Sequence, residues 1–477
     1  MSRGDAGDEL LAYDATGLAK LVRAGEVSPQ ELVMATVARI ERLDGQLNAI
    51  STLLVDRALQ RAGDIPVDSL FAGVPTLLKD LVDMAGVRRT SGSRLHLNHV
   101  PKESVSYVRA LEEAGLNIIG MTNTPEFASL ALTDNHAFGP SRNPWNIAHT
   151  PGGSSGGSAV AVAAGYVPIA HGTDGGGSNR IPSSCCGVLG MKASRYRMAS
   201  GEADGQHFFL RTHQSISRTV RDSAALFAAT ENRQTSNPYP LEGQIAGPGR
   251  RRLKIAFSTT SCFGREPVPT VMEALESSAR LCEEMGHEII PVKNPLQGEA
   301  FFEALESVML ASMPALLQQV ESLTGRRAED TGLLTPMLIQ TARYAAGLPA
   351  DAADLGMQYL QRLSEQMKNF YSSYNVWLTP TLPIEPPLEG YISPDSDFMA
   401  TRGASRDMLG YTAFANAVGS PAMSVPLAWS SQSGLPIGSH FSAAAGADRT
   451  LYELAYELEA ARPWRDRWAP YSAKYEV

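Results

Sequence analysis

The sequence predicts an α/β fold. Two observations carry this. Amphipathic helical stretches alternate with short apolar runs, and those runs are apolar almost throughout, as strands of a largely buried sheet are. The first helix is "SPQELVMATVARIERL", where Ser28 can cap, Pro29 suits the first turn and Glu31 completes a capping box. Leu32, Val33, Val37, Ile40 and Leu43 then share one face. "FAGVPTLLKDLVDMAG" reads as a turn followed by a buried strand. "SVSYVRALEEAG" is a helix ended by Gly115, and "LNIIGMTN" is the strand after it. "RRLKIAFS" is another strand, and "VMEALESSARLCEEMG" before "HEIIPV" repeats the helix–strand order. Residues 298–368 read as mainly helical. The Pro/Gly-rich stretches "NPYPLEGQIAGPGR" and "LTPTLPIEPPLEG" read as surface connections. Neither divides the chain into two self-sufficient cores, so one domain over 1–477 is expected.

Composition narrows the function. The 477 residues are 43% hydrophobic and 19% charged, ordinary for a globular protein large enough to need no disulfides. Net charge is −9, which argues against a nucleic-acid partner. The basic triplet Arg250–Arg252 fits a solvated strand entrance. The four cysteines, Cys185, Cys186, Cys262 and Cys282, match no zinc spacing and read as reduced thiols. No run looks like a membrane span, and the acidic N-terminus has no apolar leader core, so the expectation is a cytoplasmic protein with no membrane partner. Nothing in the sequence calls for a metal or an organic cofactor.

The chemistry concentrates in "TPGGSSGGSAVAVAAGYVPIAHGTDGGGSNRIP". A phosphate-binding Walker loop is excluded because the stretch holds no Lys. A Gly-x-Ser-x-Gly elbow is satisfied by both Ser154 and Ser155, but a loop rather than a strand precedes it. Two Gly/Ser clusters at element boundaries, joined by a short small-residue helix, suggest a site rather than a linker. A serine nucleophile needs a proton acceptor. His171 reads as a packed residue at a strand end. Lys79, embedded in "GVPTLLKDL", is either a neutral base or the partner of Asp80 in an ion pair.

These blocks, together with "FGPSRNPWN", "RTVRDSA" and "ANAVGSPAMSVP…GLPIG", resemble the amidase signature family of serine hydrolases over most of the chain. The resemblance implies a mixed twisted β-sheet surrounded by helices, with a signature core at about 70–230 and a helical, substrate-lining part at about 296–370. It implies a Ser–cis-Ser–Lys triad: Lys79 as base, Ser154 as bridge after a cis peptide bond, and Ser178 as nucleophile, 24 positions beyond Ser154. Backbone N–H groups of Gly175, Gly176, Gly177 and Ser178 would form the oxyanion hole. Ser155 and Ser158 support the loop, and Asp174 and Arg180 flank it as a supporting ion pair. The implied substrate is a small-molecule amide or carbamate, with aryl-acylamidase, cyclic-amide and urethanase members as the nearer kin. The rival readings are an amidotransferase A-type subunit acting with a tRNA-amidation partner and an α/β-hydrolase-type esterase. A homodimer is left open. The chain departs from the family pattern at Gly175, at Asn179, and at His440, where Gln is usual. Residues 126–138, 198–215 and 300–345 are expected to line or gate the acyl pocket.

Overall fold

The computed structural model describes residues 9–199, 209–234 and 237–475. The N-terminal reading for residues 1–8 and the gating reading for 200–208 lie outside the described residues. Two sheets form the framework. The strands are β1 (Ile50–Leu53), β2 (Pro75–Lys79), β3 (Asn117–Thr122), β4 (Ile169–Asp174), β5 (Leu189–Lys192) and β6 (Thr212–Ser217). They continue with β7 (Lys254–Phe257), β8 (Glu288–Pro291), β9 (Val376–Pro380), β10 (Ala422–Trp429) and β11 (Pro436–Ala443). The smaller sheet runs β1-β3-β2, and the eight-stranded sheet runs β4-β6-β5-β10-β11-β9-β7-β8. The large sheet is mixed: β4 through β9 pair antiparallel, while β9, β7 and β8 are parallel neighbours.

The helices form where side-chain spacing and caps favour them. Helix Pro29–Leu47 carries the complete capping box: Glu31 N–H donates to Ser28 Oγ (3.2 Å), and Ser28 N–H donates to Glu31 Oε2 (2.8 Å). Its five expected face residues are all buried against the smaller sheet and neighbouring helices. Gly115 ends helix Ser106–Glu113 with φ +85°, a turn that delivers the chain into β3. β2 lies beside β4: Thr76 Oγ1 donates to the carbonyl of Ile169 (2.9 Å), and the Lys79 N–H donates to His171 Nδ1 (3.3 Å). That contact places the end of β2 beside the middle of β4.

Several expectations change. "LTPTLPIEPPLEG" is not a surface connection at its start: β9 enters it, and Leu378 to Leu382 are buried. His171 sits in the middle of β4 rather than at its end. One stretch, Gly298–Thr324, does have the length and apolarity to cross a membrane. Here it folds as two helices, Gly298–Leu310 and Met313–Thr324. Phe301, Phe302 and Leu305 turn into the core, while Val308, Met309 and Met313 face a cleft, which accounts for its apolar composition. The four cysteines are buried free thiols.

Candidate active site

The strand ends and the two Gly/Ser clusters meet at one cleft of about 970 Å³. Ser154 follows a cis Gly153–Ser154 peptide bond, as the family resemblance implies. Its loop is held from several sides. Thr124 Oγ1 donates to the Ser154 carbonyl (2.8 Å), and Thr133 Oγ1 donates to the Gly152 carbonyl (2.8 Å) while accepting from Gly156 N–H (3.1 Å). A Cβ on Gly153 would lie 2.6 Å from the Leu132 carbonyl oxygen, so only glycine fits beneath this loop. The Ser155 N–H donates to the Ser178 carbonyl (3.1 Å), tying the two clusters together. Ser155 and Ser158 are buried, and their hydroxyls donate to the carbonyls of Thr173 and His171.

Lys79 ends β2 wholly buried, with Nζ 2.6 Å from Ser154 Oγ and donating to Thr173 Oγ1 (3.1 Å). Burial drives its pKa well below the usual lysine value, and the charge of Arg211 adds to this, with Asp174 opposing. The Lys79–Asp80 pairing is not formed. Asp80 instead accepts from Thr90 N–H (2.7 Å), Thr90 Oγ1 (2.5 Å) and Ser51 Oγ (2.9 Å). Adjacent residues on a strand point to opposite faces, so one faces Ser154 and the other the Thr90 loop. Because His171 Nδ1 accepts from the Lys79 N–H, its Nε2 carries the proton and donates to His213 Nδ1 (3.0 Å). Burial, then Lys79 and Arg211, hold His171 neutral with a pKa of about 3.

Asp174 organises the second cluster. Its carboxylate accepts the N–H groups of Gly177 (2.8 Å) and Asn179 (3.1 Å), on either side of Ser178. Arg180 donates to both of its oxygens, through Nε (2.9 Å) and Nη2 (2.8 Å). Burial alone would raise this carboxyl, but Arg180, Lys192 and Asn416 outweigh it and hold it far below the usual carboxylate range. The Gly177 N–H, expected in the oxyanion hole, is therefore occupied by Asp174. Gly175, Gly176 and Ser178 keep N–H groups that donate to no protein acceptor among the described residues. Gly177 itself has φ +139°, and a Cβ there would lie 2.3 Å from Thr412 Oγ1. Asn179 is neither a surface residue nor a cleft residue. It is buried, accepting from Ser155 Oγ (3.2 Å) and donating to the Met191 carbonyl (3.1 Å).

Sequence reading missed Lys192, a second fully buried lysine at the end of β5. Its Nζ donates to the carbonyls of Ala193 (2.8 Å) and Ser420 (2.7 Å), and burial together with Arg180 lowers its pKa to about 7. The signal was its place in "GVLGMKAS", an apolar run much like that of Lys79. His440 has a defined tautomer. Arg180 Nη1 donates to its Nε2 (2.8 Å), so Nδ1 holds the proton and faces Thr379 Oγ1 (3.1 Å). The carbonyl oxygen and an N–H of a glutamine amide can fill the same acceptor and donor roles. Burial and then Arg180 push its pKa well below 6.5.

A histidine held neutral only in the folded state takes up a proton on unfolding once pH falls below about 6.5, so stability declines toward acid. His440→Gln should reduce that decline by about 1.4 kcal/mol per pH unit, one proton's worth. Urea unfolding of both proteins between pH 7.5 and pH 5 measures it; equal slopes would refute the assignment.

The comparisons with known proteins agree with this architecture. The amidase family pattern matches residues 31–452. AmiC of Mycobacterium tuberculosis, whose own assignment as an amidase is provisional, is 35% identical, covering 97% of each chain. The lipoamidase of Enterococcus faecalis is 34% identical, covering 93% of this chain and 63% of its own. A solved structure of 6-aminohexanoate cyclic dimer hydrolase superimposes with a TM-score of 0.88 at 29% identity, over 97% of this chain and 99% of that one. The fold and cleft define an α/β amide hydrolase acting on carbon–nitrogen bonds other than peptide bonds. The chain belongs to the amidase family.

Proposed function

We propose that the protein cleaves small non-peptide amides through an acyl-enzyme, with Ser178 as nucleophile, Ser154 as proton bridge and Lys79 as neutral base. The observation that carries this is the buried Lys79 Nζ 2.6 Å from Ser154 Oγ, with Ser154 and Ser178 on the wall of one cleft. Ser178 Oγ attacks the carbonyl carbon and passes its proton to Ser154 Oγ, as Ser154 passes its own to Lys79 Nζ. The oxyanion takes hydrogen bonds from the N–H groups of Gly175, Gly176 and Ser178. The relay then reverses: the Lys79 ammonium returns a proton through Ser154 to the leaving nitrogen, and the C–N bond breaks. Water attacks the ester that remains, giving its proton to the same relay; the relay returns a proton to Ser178 Oγ as the acyl C–Oγ bond breaks, and the acid departs.

The cleft wall is mostly apolar, with Met309, Met313, Met337, Met357, Phe209 and Leu409, which favours apolar acyl or aryl groups over peptides. Carbamates suit the same relay, with release of amine, alcohol and carbon dioxide. A panel of anilides, linear and cyclic amides, carbamates and esters, with and without tRNA, tests the proposal. Turnover of amides without tRNA or a partner protein is expected. Activity only with tRNA and a partner would overturn it in favour of the amidotransferase reading.

A further inference from the structure

Among the described residues, four carboxylates line the cleft: Asp83, Glu126, Asp134 and Glu306. Three are matched by protein groups. Asp83 pairs with Arg89 (2.6 Å). Glu126 accepts from Ser93 Oγ (2.6 Å), Thr335 Oγ1 (2.7 Å) and Thr335 N–H (2.9 Å). Glu306 pairs with Arg402 and Arg406. Asp134 differs: among the described residues its carboxylate has no ion pair and no side-chain hydrogen bond, only the backbone N–H of Asn135. A half-exposed carboxylate on a mostly apolar wall, with no counter-charge among the described residues, is solvated by water in the cleft and is open to a cationic ligand group.

The position of Asp134 says which part of a ligand that is. Its neighbour Thr133 is hydrogen-bonded to Gly152 and Gly156, on both sides of Ser154, and Asn135 donates to the Thr124 carbonyl (2.8 Å). Asp134 thus sits between two residues that anchor the Ser154 region, and it lines the same cleft as Ser154. In the proposed relay, Ser154 is the group that hands a proton to the departing nitrogen. A leaving group bound at Ser154 shares the cleft with Asp134.

We infer that Asp134 is a specificity residue that binds a cationic amine on the leaving group, so that N-acyl diamines are preferred substrates. The inference rests on the proposed amide hydrolysis. An ammonium–carboxylate contact out of bulk water is a charge-assisted hydrogen bond, stronger than a neutral one. The methionine-rich wall then takes the acyl chain.

The groups facing Asp134 set its titration. Burial raises its pKa to about 6, with Glu389 and Asp395 adding and His136 opposing. Arg142 pairs with Glu389 (3.3 Å) and His136 with Asp395 (3.1 Å). The aliphatic ammonium of the ligand stays charged throughout this range.

The test compares N-hexanoyl-1,5-diaminopentane with N-hexanoylhexylamine, which has a methyl in place of the ammonium. The ratio of their kcat/KM values removes any effect common to both, such as titration of Lys79. In the wild type the ratio should favour the diamine derivative by about tenfold. It should fall toward one in Asp134→Asn, and also in the wild type as pH drops through about 6. A wild-type ratio of one, or a ratio unchanged in Asp134→Asn, would overturn the inference while leaving amide hydrolysis in place. A binding measurement separates the two ideas. Free hexylamine, a cation at this pH, should slow labelling of the wild type by a fluorophosphonate more than neutral hexan-1-ol does, and equal protection also overturns the inference. Labelling without turnover of any amide counts against the proposed function instead.

Discussion

Ser178→Ala is expected to abolish amide turnover and covalent labelling by a fluorophosphonate together. Replacing the nucleophile of a serine hydrolase typically costs about 10⁴- to 10⁶-fold in kcat. The two readouts test different things. Labelling needs only an activated hydroxyl, while turnover also needs the oxyanion donors and the leaving-group proton. A variant that folds like the wild type and keeps full turnover would remove Ser178 from the mechanism. The substitution should disturb little else, because the loop is held by backbone contacts: the Ser178 carbonyl accepts from Ser155, and Asp174 binds the N–H groups of both neighbours.

Lys79→Ala should lower kcat/KM by about 10³-fold at pH 7, within the usual range for loss of a general acid–base group. Fluorophosphonate labelling should slow as well, because the same amine draws the proton from Ser154. The wild-type pH profile carries the matching signature. The working form is the neutral amine, present above the pKa of Lys79 and lost as pH falls through it. Burial and Arg211 depress that pKa. The acid limb of the profile should therefore lie well below pH 10.5, with activity flat above it. A near-wild-type rate in Lys79→Ala, or an activity that rises only near pH 10.5, would rule out the base role.

The residues that sequence reading brought to the site are brought together by the fold: Lys79 beside Ser154, with Ser178 on the same cleft wall. They were legible because their types and positions match a known pattern, and because a lysine inside an apolar run stands out. The helices were legible for a local reason: the Ser28–Glu31 box and the apolar stripe of Pro29–Leu47 are written in adjacent residues. Strands β4, β10 and β11 were harder. Their residues are buried on both faces, or nearly so, which removes the alternation that marks a strand, and they carry Gly, Ser and His.

The sequence by itself determined the α/β class, the capped helices, and the candidate serines and lysine, because each rests on neighbouring residues or an ordered pattern. Only the tertiary structure decided which polar group meets which. It turned Asp80 away from Lys79 toward Thr90, gave the Gly177 N–H to Asp174, buried Lys192, and left Asp134 on the cleft wall without a counter-charge among the described residues. The physical reason is that hydrogen bonds and ion pairs are short-range and directional, while their partners here lie up to hundreds of residues apart. Arg180 and His440 meet across 260 positions. Such pairings follow from how strands and loops pack, and composition or periodicity along the chain does not encode them.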